Sequence, residues 1–208
     1  MSAEVVGKVA AFITRDTPAE RQLLVFRHPD AGIQLPAGTI EVDETPEAAL
    51  LREVREETGL AVEIVAHLDI LEQTLEDGNR ALTEDYILEV EPGDRGRLVS
   101  RQTRGAPVRV IEVEDDYTHV WYRFKLEAGV LHPDLHYTGW LPSRYLTDTL
   151  SRHLFHLKPS APTPDRWSVE ADRHTFALYW ASLDVQLVAP QQPWLDLVRD
   201  RLMGADLD

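Results

Sequence analysis

The sequence predicts an α/β protein that carries an inserted β-rich segment. Three observations support this. Residues 5–14 and 22–27 are apolar runs rich in Val, Ile, Leu and Phe, separated by a turn-like segment, as in a β-hairpin. A helix whose two ends are both marked by capping residues follows at 46–58. Short runs with period-2 alternation then occupy the middle of the 208-residue chain.

The predicted helix begins and ends at residues suited to those positions. Thr45 is a good N-cap, and Pro46 fits the first helical position because its missing N–H has no partner there. Gly59 can adopt the left-handed conformation that ends many helices. Leu50, Leu51 and Val54 fall on one arc of the helix and are expected to pack against the core.

Three carboxylates share the edge beside that apolar arc. Glu53, Glu56 and Glu57 lie within about 100° of one another, because residues at i, i+3 and i+4 are neighbours on a helix. Like charges at this spacing repel unless a cation lies between them, and hard oxygen ligands suit Mg²⁺, which completes its shell with substrate phosphates. A solvated acidic face is the alternative interpretation, since the whole protein is acidic.

The stretch from Gly38 to Leu60 resembles the signature of the Nudix hydrolases. That pattern is Gly, five residues, Glu, seven residues, Arg-Glu, an aliphatic, any residue, Glu-Glu, any residue, Gly and an aliphatic. The matching residues are Gly38, Glu44, Arg52, Glu53, Val54, Glu56, Glu57, Gly59 and Leu60. The resemblance implies a loop–helix–loop motif on an α/β/α sandwich with a mixed sheet. It also implies hydrolysis of a nucleoside diphosphate linked to another moiety.

The same resemblance implies roles for the site residues. Glu53, Glu56 and Glu57, with the Gly38 carbonyl, would hold Mg²⁺ or Mn²⁺. Glu44 would support the metal site, although a charge favourably placed at a helix N-terminus is an equal alternative. Arg52 is expected to pair with a carboxylate of the motif and orient it. The general base is left open among these glutamates and carboxylates elsewhere.

Composition narrows the function classes. The chain has no cysteine, which excludes disulfides, thiolate metal sites and a cysteine nucleophile. A formal net charge of -15 disfavours broad binding to nucleic acid or to an anionic membrane. No stretch reaches the length of a membrane span and no signal peptide is evident, so a cytoplasmic protein is expected.

A long insertion is predicted after the strand at 61–71. Residues 106–113 and 119–125 read as strands, and residues 138–146, which contain Gly-Trp-Leu-Pro, resemble the closing part of SH3-like barrels. The aromatic residues there either fill a small core or line a ligand groove. The expected domains are a first Nudix part at 1–72, an SH3-like subdomain at 73–150 and a closing Nudix part at 151–208.

The resemblance implies that residues 152–158 and 175–183 form two closing strands of the Nudix fold. A terminal helix is expected at 193–203, where Leu195, Val198 and Leu202 recur with helical spacing. An irregular loop is predicted at 159–165. Trp167, Glu170 and Asp172 are candidate base or phosphate contacts, or else belong to a surface loop anchored by the tryptophan. His153 and His156 fall on opposite faces of a strand and therefore do not form a zinc pair.

Three functional hypotheses follow. The first is metal-dependent hydrolysis of a pyrophosphate bond in a small-molecule nucleoside diphosphate derivative. The second is a sensor that binds a nucleotide on the same fold without turnover. In the third, the inserted segment has the main function, as a surface that recruits a protein partner. A homodimer is also considered, because many members of the resembled family are dimers.

Overall fold

The computed structural model describes residues 4–28, 31–96, 98–125, 131–171 and 174–204. It shows an α/β fold with a mixed sheet and few helices. The strands are β1 (Val6–Asp16), β2 (Arg21–His28), β3 (Gly32–Gln34), β4 (Ala37–Thr39), β5 (Val62–Thr74), β6 (Asn79–Leu82), β7 (Tyr86–Glu89), β8 (Leu98–Gln102), β9 (Pro107–Glu114), β10 (Tyr117–Lys125), β11 (Leu131–Pro142), β12 (Leu146–Thr147), β13 (Thr149–Pro159), β14 (Arg166–Ala171) and β15 (His174–Ser182). The helices are α1 (Pro46–Thr58), α2 (Gln192–Leu202) and a 3₁₀ helix (Ser143–Tyr145). Within the described residues, no helix is long and apolar enough to cross a membrane.

The strands form two sheets. The first has the order β14-β15-β2-β1-β13-β5, with β3 paired to β2 and β4 paired to β1. The second has the order β12-β6-β9-β10-β11-β7-β8. The predicted N-terminal hairpin is confirmed, since β1 and β2 are antiparallel with Thr14 opposite Leu23.

By their internal contacts the residues fall into two compact units. Unit 1 comprises Met1–Lys8, Thr39–Asp43 and Leu71–Arg152. Unit 2 comprises Val9–Gly38, Glu44–Ile70 and His153–Asp208. The domain boundaries expected at 72/73 and 150/151 stay a prediction.

The helix α1 of unit 2 has both of the ends that the sequence predicts. The Thr45 side chain accepts a hydrogen bond from the Ala48 N–H, and Gly59 is left-handed, with φ of 71° and its N–H bonded to the Arg55 carbonyl. Leu50 and Val54 are buried, as expected from the apolar arc. The expectation for Leu51 is wrong, because this residue lies at the margin of the arc and is 41% exposed.

The C-terminal elements of unit 2 are largely those predicted. The strands expected at 152–158 and 175–183 correspond to β13 and β15, and the expected terminal helix corresponds to α2. The placement of Trp167 and Glu170 in a loop is wrong, because both lie in the strand β14. This strand pairs antiparallel with β15, and Arg166 lies opposite Tyr179. Asp172 lies outside the described residues. The segment before α1 contains two short strands, β3 and β4, which pair with the longer strands β2 and β1 respectively.

Unit 1 contains the strands predicted at 106–113 and 119–125, observed as β9 and β10 and paired antiparallel. A compact apolar cluster lies between its strands, formed by Leu82, Leu88, Val108, Val120, Tyr122 and Leu141. Trp140 is buried and stacks on His119 with ring centroids 4.6 Å apart. The buried carboxylate of Glu89 accepts hydrogen bonds from the Tyr86 hydroxyl and the Gly93 N–H, so each of its oxygens has a donor.

A buried histidine of unit 2 makes the stability of the protein depend on pH. Thr14 Oγ1 lies 2.7 Å from His156 Nε2 on β13, where His156 is 7% exposed. Burial lowers the pKa of His156 to about 4, and Arg21 and Lys158 act in the same direction. The unfolded chain, with a histidine pKa near 6.5, therefore binds more protons than the folded protein between about pH 4 and pH 6.5.

The free energy of unfolding is therefore expected to fall as the pH drops through that window. Between pH 7 and pH 4.5, His156 should account for roughly 2 kcal/mol of the loss. Urea unfolding of the wild type and of His156→Gln at both pH values isolates this contribution from that of the carboxylates. Equal losses in the two proteins would contradict the assignment.

Candidate functional site

The acidic edge of α1 stands at the border between the packed face of the helix and solvent. Glu53 has 15% of its side chain exposed, and Glu56 has 58% exposed. Glu57 is partly buried. The buried residues of α1, Ala49, Leu50, Val54 and Thr58, define the opposite side. The helical spacing therefore places these carboxylates where a ligand can reach them while the helix stays packed.

Arg52 gathers three of the motif carboxylates around one guanidinium group. Its Nε and Nη2 atoms donate to the two carboxylate oxygens of Glu44, at 3.0 and 2.9 Å. Its Nη1 atom donates to Glu53 Oε1 at 2.8 Å and lies 3.5 Å from Glu56 Oε2. Only 15% of the Glu44 side chain is exposed. The hydrogen bonds from Arg52 to Glu44, and then to Glu53, raise the pKa of the guanidinium above its usual value although burial opposes this.

The expected pairing of Arg52 with a carboxylate is thus observed, and it extends to Glu44. The bond to Glu44 is bidentate, which is the strongest geometry for an arginine and a carboxylate. Glu44 precedes α1 and cannot share the helical arc of the three glutamates. It nevertheless joins Glu53 and Glu56 through Arg52.

The backbone of the short strand β4 contacts Glu53 and Glu57. Glu57 Oε2 accepts a hydrogen bond from the Ala37 N–H at 3.0 Å. At Gly38, any side chain would collide with the Glu53 carboxylate. Gly38 lies within a strand and has no left-handed backbone, so its conformation alone does not require glycine. Glycine is needed at this position for the close approach of Glu53.

The predicted residues therefore meet in two adjoining groups. The first group is the charged network of Glu44, Arg52, Glu53 and Glu56. In the second group, the backbone at Ala37 and Gly38 contacts the carboxylates of Glu57 and Glu53 respectively. Within the described residues, no three Asp, Glu or His side chains are gathered as metal ligands. The carboxylates point instead to Arg52 and to the Ala37 N–H.

The chemistry of this donor set fits a hard divalent cation. Glu53 lies against Gly38 and Glu57 is bonded to Ala37, so two carboxylates border one backbone segment that also offers a carbonyl oxygen. Oxygen ligands of this kind suit Mg²⁺ and Mn²⁺. Glu56 is the most exposed of the three glutamates and is free to turn outward.

A cavity of about 580 Å³ opens beside the network. It is lined by Leu51, Arg52, Arg55 and Glu56. This volume is within the range of sites for small molecules. The exposed Leu51, which the sequence assigns to the core, instead forms part of this wall, and Arg55 adds a second cation to it.

Two supports of the site are long-range contacts that no sequence motif marks. Trp167 Nε1 on β14 donates to the Thr58 carbonyl at 2.8 Å and thereby fixes the last turn of α1. The Ala37 N–H orients Glu57. Glu170, the other described candidate for substrate contact, accepts a hydrogen bond from the Thr175 hydroxyl at 2.5 Å. The sequence identified Trp167 as an anchor but not what it anchors.

Solved structures of other proteins share this fold. A crystal structure of a UDP-X diphosphatase matches 99% of this chain and 66% of its own, with a TM-score of 0.51 and 12% identity. An ADP-ribose pyrophosphatase from Streptococcus suis matches 99% of this chain and 95% of its own, with a TM-score of 0.47 and 12% identity. At 12% identity the likeness to the UDP-X diphosphatase concerns the fold alone.

Sequence comparisons identify the family. A MutT-like protein of Streptomyces ambofaciens is 46% identical over 57 residues, which are 27% of this chain and 35% of that protein. The chain thus spans about a third of the length of this curated relative. The family model described as NUDIX domain matches residues 7–125, more than half of the chain. The chain therefore belongs to the NUDIX domain family.

Proposed function

We propose that this protein hydrolyses a pyrophosphate bond in a nucleoside diphosphate derivative, with Mg²⁺ or Mn²⁺ as cofactor. The observation that carries the proposal is that Glu53 lies against Gly38 and Glu57 is bonded to the neighbouring Ala37 N–H, with Glu56 on the same edge of α1. Membership of the NUDIX domain family supports it. The pyrophosphatase and diphosphatase named among the similar structures suggest ADP-ribose and UDP-linked compounds as first substrates to test.

The residues of the chain take distinct parts in this reaction. Glu53, Glu56, Glu57 and the Gly38 carbonyl would hold the metal, which neutralises phosphate charge and lowers the pKa of the attacking water. Arg52 keeps Glu53 in place and links it to Glu44, so both act as positioning residues. One glutamate of this edge takes the proton of the water.

The cavity on α1 is the proposed place of the substrate. Its walls include Glu56 on the metal side, while Arg55 supplies positive charge that suits phosphate oxygens. Leu51 adds an apolar surface. Because the chain has a net charge of -15, such local positive charge is needed to hold an anionic substrate.

The direct test is product release from a panel of substrates. Purified protein is incubated with ADP-ribose, UDP-sugars, dinucleoside polyphosphates and nucleoside triphosphates, with Mg²⁺, with Mn²⁺ and with EDTA. We expect at least one compound to release a nucleotide or phosphate product with metal, and EDTA to stop the release. Absence of product from every compound with either metal would contradict the proposal.

A nucleotide sensor without turnover is the second candidate. It is favoured by one observation, which is that Arg52 pairs with Glu44, Glu53 and Glu56 and so offsets part of their negative charge without an added cation. Nucleotide binding that raises the melting temperature, with no product in the assay above, would select this alternative.

We further infer that residues 73–150 are an SH3-like subdomain inserted into an α/β/α Nudix core, which residues 151–208 close. The antiparallel pairing of β9, β10 and β11 and the buried Trp140 support this reading. The same segment is the proposed surface for a protein partner, and a homodimer is the proposed assembly.

A further inference from the structure

A second cavity lies on the outer strands of unit 2, on residues that the proposed reaction does not use. Its volume is about 430 Å³, and its lining includes Arg27, Arg166, Ser168, Ala177 and Tyr179, together with Trp167 and Leu178 at the intervening strand positions. These residues come from β2, β14 and β15, three adjacent strands of the first sheet. The cavity therefore lies on a rigid paired surface and not in a loop.

The strand register explains how the cavity forms. Ala177 of β15 lies between Arg27 of β2 and Ser168 of β14, and Tyr179 is opposite Arg166. Because directly paired residues project to the same face of a sheet, all five share one face. The small side chain of Ala177 forms the floor, and the two arginines stand on opposite sides of it, with Cα atoms roughly 12 Å apart by strand geometry.

This face is the opposite one from the face that holds α1. Trp167 lies between Arg166 and Ser168 in the sequence, and its side chain reaches the Thr58 carbonyl at the end of α1. Successive residues of a strand project to opposite faces, so Arg166 and Ser168 project away from α1. The cavity is thus separate from the edge that carries Glu53, Glu56 and Glu57.

Among the described residues, the two arginines of this cavity lack the ion pairs that seven other arginines of the protein form. Arg15, Arg21, Arg52, Arg101, Arg104, Arg199 and Arg201 each form an ion pair with an acidic side chain. In the part of the chain that the structure describes, neither Arg27 nor Arg166 has such a partner. Both are exposed, in a protein with 36 acidic and 21 basic residues. Glu170, on the same face, is bonded to Thr175.

We propose that this cavity binds a phosphate-bearing small molecule of about the size of a mononucleotide. The two guanidinium groups take phosphate oxygens from either side, with the fork geometry that arginine offers to phosphate. Ser168 supplies a hydroxyl that can donate to the same oxygens. Tyr179 supplies an aromatic surface for a planar ring. The site is a binding site on the far face of the sheet and has no part in the bond cleavage.

The test is a calorimetric titration with ADP and with inorganic pyrophosphate, in EDTA so that no divalent cation contributes. Arg27→Ala and Arg166→Ala are each expected to weaken binding at least about tenfold, because each removes a charged pair of hydrogen bonds. Arg27→Lys and Arg166→Lys keep the positive charge but not the forked guanidinium geometry, so they should lose less binding affinity than the alanine variants. Arg109→Ala, an exposed arginine of unit 1, is the matched control and should bind as the wild type does.

Three outcomes would overturn the proposal. The first is the absence of binding by the wild type at millimolar ligand. The second is an equal loss in Arg109→Ala, which would indicate a general charge effect. The third is binding that Glu57→Gln abolishes and that the Arg27 and Arg166 variants leave unchanged, because the ligand would then occupy the edge of α1. Melting temperatures of all variants establish that each is folded.

Discussion

Replacing Glu57 with glutamine is expected to lower the rate of pyrophosphate hydrolysis by about a hundredfold or more without unfolding the protein. The substitution removes a negative charge that would hold the metal or accept a proton, and losses of this order follow from removing such a group. The amide oxygen of glutamine can still accept the hydrogen bond from the Ala37 N–H, so the link between α1 and β4 is kept.

The matched control for this variant lies on the same helix. Glu47 is an exposed glutamate in the first turn of α1 and takes no part in the Arg52 network. Glu47→Gln changes the net charge by the same amount and should retain the wild-type rate. The measurement is kcat on the best substrate of the panel at saturating Mg²⁺, beside the melting temperature of each protein. Equal rates for Glu57→Gln and the wild type would contradict the role of this carboxylate.

Replacing Arg52 with alanine is expected to destabilise the fold by roughly 2 to 3 kcal/mol, somewhat less than the loss of one partner from a fully buried ion pair. The side chains of Glu44 and Glu53 are each 15% exposed, so they would be left as poorly hydrated, mutually repelling charges. Arg52→Lys should recover part of the loss, because an ammonium group cannot form the bidentate bond to Glu44.

Arg55→Ala is the control for this second prediction. Arg55 is an exposed arginine in the last turn of the same helix, where its removal costs only the weak interaction with the helix dipole. The free energy of unfolding in urea is compared for the three variants and the wild type. If Arg52→Ala cost no more than Arg55→Ala, the network around Arg52 would not contribute to stability.

Much of α1 could be predicted because its signals are local. The cap at Thr45, the left-handed Gly59 and the burial of Leu50 and Val54 depend on residues within a few positions of one another. The N-terminal hairpin is predicted from signals that are also local, two apolar runs separated by a turn-like segment. The burial expected of Leu51 is wrong, because the width of the buried face depends on which elements pack against the helix.

The strand β14 shows why other elements could not be predicted. Its six residues follow a loop rich in proline and alternate too briefly to be distinguished from that loop. What makes them a strand is the ladder to β15, and what gives Trp167 a function is the Thr58 carbonyl 109 residues away in the sequence. Pairing energy of this kind arises only in the folded chain.

The sequence by itself determined the helix, its acidic edge and the residue types that suit a hard metal, since these follow from helical periodicity and ligand chemistry. Only the tertiary structure decided that Arg52 joins Glu44 to Glu53, that Gly38 meets the Glu53 carboxylate, and that Arg27 and Arg166 flank one cavity. These are contacts between segments distant in sequence. They depend on strand register and packing, which the spacing of residues along a single chain does not encode.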